Sequence, residues 1–120
     1  MDRPVRIGLV GDDDRRLLAD LKALPRPLEV TSFRSVFEDT EALVAFRADL
    51  LLVQLDESTN LDELAGALRF LKSLCPMQAL VLGCDASREV ELAALRERTG
   101  ASWLALPHTP LDLARAVDHA

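Results

Sequence analysis

The chain has 120 residues, enough for one domain with a real core and too few for two. Apolar residues make up 49% and charged residues 28%, the balance of a globular protein rather than a disordered one. A net charge of −6 argues against binding to phosphate backbones and gives an anionic membrane surface little to attract, so neither nucleic acid nor membrane is an expected partner.

Val5 to Val10 reads as a first strand, ending in Gly11-Asp12-Asp13-Asp14. Leu17, Leu18, Leu21 and Leu24 then recur at helical spacing until Pro25 and Pro27 stop them. Leu28 to Phe33 alternates as a half-buried strand does. Ser35 and Glu38 have the spacing of a capping box and predict a helix to about Phe46. Leu50 to Leu55 is an almost unbroken aliphatic run, the pattern of a strand covered on both faces.

After a polar loop, Leu61, Leu64, Leu68, Leu71 and Leu74 form a helical stripe that stops before Pro76. Met77 to Leu82 predicts a fourth strand. Asp85 or Ser87 can cap the next helix, which Gly100 ends. Ala101 to Leu106 is the fifth strand, and Thr109-Pro110 opens the last helix. Five strand–helix units predict an α/β fold: an open, doubly wound, parallel (βα)5 sheet of flavodoxin-like order. Residues 1–120 are expected to form one domain, the N-terminal part of a longer protein.

Cys75 and Cys84 are too few for a disulfide framework, no apolar run reaches membrane length, and the N-terminus lacks a signal-peptide core. A cytoplasmic protein is expected. The turn after the first strand has neither of the glycine patterns that cradle phosphates, and no serine sits in a nucleophile elbow. His108 and His119 lack partner motifs and are expected at the surface. Cys84 would lie at the mouth of the crevice, where neighbouring acids raise a thiol's pKa and oppose a redox role.

In such a sheet, ligands bind beyond the carboxyl ends of the strands. Asp12, Asp13 and Asp14 gather there, with Asp56 after the third strand. Their oxygens suit Mg²⁺; the alternative is that Asp14 caps the first helix while its neighbours stay solvated. No cofactor is expected beyond a weakly held Mg²⁺ at Asp12 and Asp13.

The acidic turn, the approach Asp49-Leu50-Leu51-Leu52-Val53 and the segment Gly100-Ala101-Ser102-Trp103-Leu104-Ala105-Leu106-Pro107 resemble the receiver domain of bacterial response regulators, over essentially the whole chain. The resemblance implies a phosphoacceptor Asp at the end of strand three, a hydroxyl after strand four, a Lys before the strand-five Pro, and Mg²⁺ on the strand-one acids. Aligned from Gly11, one acidic ligand is lost; aligned from Asp12, which keeps the leucines of the first helix in better register, the pair is intact. The other three positions hold Gln54, Gly83 and Leu106. An amide cannot form an acyl phosphate, glycine has no hydroxyl, and leucine cannot neutralise a phosphoryl oxygen.

The pattern is that of a degenerate pseudo-receiver, not an enzyme. Asp56, two residues past Gln54 and on its face if the strand continues, is a displaced alternative acceptor. Trp103 takes the place of the family's switch aromatic. The space at Gly83 is one place for its indole to settle; the alternative is an ordinary half-buried aromatic on strand five. The expected function is a protein-interaction, dimerisation or localisation module of a signalling or regulatory protein in the two-component mould. Its partner, another protein or a second copy, is expected on the face of helix four, strand five and helix five, with Val90, Ala94, Trp103, Leu113 and Val117. The competing reading is a sensor that binds a nucleotide or metabolite in the emptied crevice.

Overall fold

The computed structural model describes residues 4–11, 15–55, 60–106 and 108–118. Strands β1 (Val5–Val10), β2 (Leu28–Phe33), β3 (Leu50–Gln54), β4 (Ala79–Asp85) and β5 (Ser102–Leu106) alternate with helices α1 (Arg15–Lys22), α2 (Thr40–Phe46), α3 (Leu61–Leu74), α4 (Glu89–Thr99) and α5 (Pro110–Asp118). The strands form one sheet in the order β2-β1-β3-β4-β5, and every pair is parallel. This is the flavodoxin-like (βα)5 arrangement that the alternation of patterns predicts.

The sheet separates two apolar layers. On one side Leu17 and Leu21 of α1 and Leu113 and Val117 of α5 pack over Ile7, Leu9, Leu50, Leu52, Val81 and Leu104. On the other, α2, α3 and α4 bring Leu43, Leu64, Leu68, Leu71, Leu92 and Leu95 against Val10, Leu51, Val53 and Leu82. Leu50 to Val53 are all buried because successive side chains enter opposite layers. Each such side chain contributes about 1.5–3 kcal/mol by leaving water.

Local chemistry sets the helix ends. The Asn60 side chain accepts from the backbone N–H groups of Asp62 and Glu63, at 3.0 and 3.2 Å, and starts α3. Gly100, at φ +70°, closes α4 with its N–H on Arg96 O at 2.7 Å. The predicted capping box does not form. The Asp39 carboxylate instead accepts from the N–H groups of Arg34 and Ser35, while Ser35 Oγ accepts from Phe37 N. These bonds hold residues 34–39 as a turn and delay α2 to Thr40. β4 likewise begins at Ala79, not Met77. Gln78 Nε2 donates to Ala48 O at 3.2 Å and anchors the preceding loop outside the sheet.

Candidate functional site

Gln54, Gly83 and Leu106 converge at the carboxyl ends of β3, β4 and β5. Gln54 is in register with Gly83, Gly83 with Leu104, and Asp85 with Leu106. The period of two along each strand puts all three on the α1–α5 side of the sheet, where Leu52, Val81 and Leu104 also point. A Cβ on Gly83 would lie 3.5 Å from Leu106 Cδ1 and 3.7 Å from Leu106 Cγ. The leucine therefore lies over the glycine. Leu106, not the Trp103 indole, covers the position of the missing side chain.

Gln54 is wedged from the other direction. Gly11, at φ +129°, leaves β1 so close to it that a Cβ there would sit 2.8 Å from Gln54 Cβ and 3.0 Å from its carbonyl oxygen. Only glycine takes this φ without strain and admits this approach. Leu55 N donates to Gly83 O at 2.7 Å and continues the β3–β4 pairing past Gln54. Gln54 Oε1 is buried, with no hydrogen-bond partner among the described residues. The described part of the crevice thus presents a carboxamide and hydrocarbon. The expected metal ligands Asp12 and Asp13, and the alternative acceptor Asp56, lie outside the described residues, as does His119. Among the described residues no three acidic, His or Cys side chains gather as a metal site would.

Trp103 is on the opposite face, half-buried against the α2–α4 layer. Its Nε1 is enclosed and makes no full hydrogen bond among the described residues. Cys84 shares that layer and is fully buried, not at the crevice mouth; its thiol donates to Asp85 O at 3.2 Å. Burial raises the Cys84 pKa, and the Trp103 indole N–H draws it partly back. Asp85 is exposed and its pKa is lowered by the backbone N–H of Ser87, which donates to it at 2.8 Å.

The expected interaction face is only partly built. Val90 is 87% exposed and Ala94 is exposed, but Leu113 and Val117 are completely buried. One turn apart on α5, they form the stripe that closes the core against α1 and the sheet. On the same helix Leu111 is exposed. A shallow groove of about 280 Å³ runs between β5 and α5, lined by Trp103, Leu104, Ala105, Asp112 and Arg115.

His108 is not at the surface. Its side chain is enclosed, and Nε2 lies 2.6 Å from Asp20 Oδ2 on α1. This hydrogen bond ties α1 to the segment after β5. The two residues are 88 positions apart, and no local pattern joins them.

No family model matches the chain. No curated protein is similar to it. Its structure is similar to a putative response regulator from Chloroflexus aurantiacus, with TM-score 0.79 and 20% identity, covering 98% of this chain and 97% of that one. A putative pilus assembly-related protein from Burkholderia pseudomallei is 23% identical, with TM-score 0.74, over 96% of this chain and 87% of that one. A putative pilus assembly protein from Sinorhizobium meliloti is 18% identical, with TM-score 0.70, over 95% of this chain and 98% of that one. The fold is that of receiver domains. Among the described residues no helix is long and apolar enough to cross a membrane.

Proposed function

We propose that this receiver-type domain takes no phosphoryl group and serves as a permanently presented protein-interaction or localisation module. The observation that carries the reading is the packing of Leu106 over Gly83 beside Gln54. Phosphotransfer needs an acceptor carboxylate, a hydroxyl and a cation on these elements. Here an amide, a bare backbone and a hydrocarbon stand together, and each fits the others.

The same packing favours an interaction module over a small-ligand sensor, because the leucine occupies volume that a ligand would need. Two structural neighbours with pilus-assembly names support a role in placing or joining a larger assembly rather than relaying phosphate. Mg²⁺ at Asp12 and Asp13 would supply charge neutralisation, but no acceptor at Gln54 could use it.

The test is the intact mass of the chain after incubation with acetyl phosphate and Mg²⁺. The expected result is no change. A phosphoryl adduct mapped to Asp56 would overturn the reading and restore a working, displaced receiver.

A further inference from the structure

The α2–α3 flank carries exposed large apolar residues at both ends, with opposite charge around each. At its base, where the strands begin, Phe70 and Leu74 lie one turn apart on α3, 55% and 51% exposed, and Met77 follows at 94%. The bond from Gln78 Nε2 to Ala48 O puts the Arg47 loop beside them. At its top, Phe37 is 52% exposed, in the turn that precedes α2. Arg47 and Arg69 accompany the base, and Glu38 and Glu41 outnumber Arg34 at the top; all five are exposed, and none has an ion-pair partner among the described residues.

Helix dipoles account for acids near helix starts and bases near helix ends. They do not account for aromatic and thioether side chains left in water beside those charges. An apolar–basic patch and an apolar–acidic patch complement each other, and neither complements itself. They are separated by α3, whose 14 residues span about 21 Å.

We propose that copies of this chain associate head to tail, the base of the α2–α3 flank on one copy receiving the top of that flank on the next. Such a contact is heterologous: it uses two different patches and leaves one of each free, so it continues rather than closing as a pair. The base offers three large apolar side chains and the top one, few for the roughly 800 Å² per partner of a standard interface, so association is weak and concentration-dependent. The inference rests on the interaction-module reading, but the two fail separately. A phosphoryl adduct on Asp56 would overturn that reading and leave the assembly intact, whereas a monomer would remove only the assembly.

Sedimentation velocity across a wide concentration range, at low and high salt, tests it. The wild-type chain should form a growing series of species that salt shortens. Phe70→Glu, which breaks the base, and the double variant Glu38→Arg/Glu41→Arg, which breaks the top, should each weaken association by at least about tenfold. An equimolar mixture of the two should form dimers and stop there, because only one intact contact remains. A strict wild-type monomer would overturn the proposal, as would a series that ends at the dimer. So would assembly that survives these variants and is lost with Val90→Glu. Phe70-dependent binding to phosphatidylserine vesicles without self-association would assign the base to a membrane instead.

Discussion

In the crevice at the ends of β3, β4 and β5, hydrocarbon replaces polar chemistry and is packed away; along the α2–α3 flank, hydrocarbon stands in solvent among exposed charges. Leu106 lies on Gly83 at ordinary contact distance, and Gln54 stands so close to Gly11 that an added atom there would disturb it. Phe70, Leu74 and Met77 could change with little effect on the fold. A domain that relays a signal must keep its crevice open to phosphate. One that only joins other molecules can fill the crevice for stability and keep its adhesive residues outside.

The sharpest way to break that contrast is Gly11→Ala. The added methyl meets Gln54 at a φ that L-residues avoid, and a loss of roughly 2–4 kcal/mol is expected in chemical denaturation. A near-neutral result would show that the crevice is looser than its contacts imply. Asp20→Ala comes next. It leaves His108 buried without its partner, and the expected loss is about 1–3 kcal/mol, reduced from that of a fully buried pair because the Asp20 side chain is 35% exposed.

On the flank the sign reverses. Arg47 ends α2 in the left-handed region at φ +52°, so Arg47→Gly should stabilise by about 1 kcal/mol. A measured destabilisation would mean that the arginine side chain holds the fold itself. The smallest effect concerns pH. Cys84 keeps its proton in the folded state to a higher pH than in the unfolded chain. Its contribution is therefore complete below the ordinary thiol range and falls as the pH climbs through and beyond it. Urea midpoints measured up the alkaline range should decline more steeply for the wild type than for Cys84→Ala.

Periodicity carries most of the architecture in this chain. Each strand and helix follows from apolar spacing and end signals, and the parallel sheet from their alternation. The departures have local causes. Ser35 and Glu38 have the right spacing for a cap, but the Asp39 carboxylate takes the Ser35 N–H that the Glu38 side chain would need.

Leu113 and Val117 show a different error. They look surplus to the sheet, yet their separation of four places them on the inner face of α5. The chemistry of Gln54, Gly83 and Leu106 is legible position by position, whereas the way Leu106 covers Gly83 is not. That contact depends on neighbouring strands and the pleat. The His108–Asp20 bond leaves no trace in sequence because its distance along the chain is unrelated to its distance in space. Phe70 did leave a signal: it falls between Leu68 and Leu71, off the buried stripe of α3.

The placement of β1 has a consequence for how the chain acquires its structure. β1 is hydrogen-bonded to β2 on one side and β3 on the other, both in parallel. Parallel neighbours cannot be joined by a tight hairpin, so no strand pair forms from adjacent residues alone. As the polypeptide leaves the ribosome, β1 can recruit β2 only across α1, and its second edge stays unpaired until β3 has emerged through α2. Residues up to Gln54 must therefore be available before β1 is paired on both edges. Folding should be paced by these long-range encounters rather than by helix formation, and a nascent chain stopped before β3 should remain susceptible to protease.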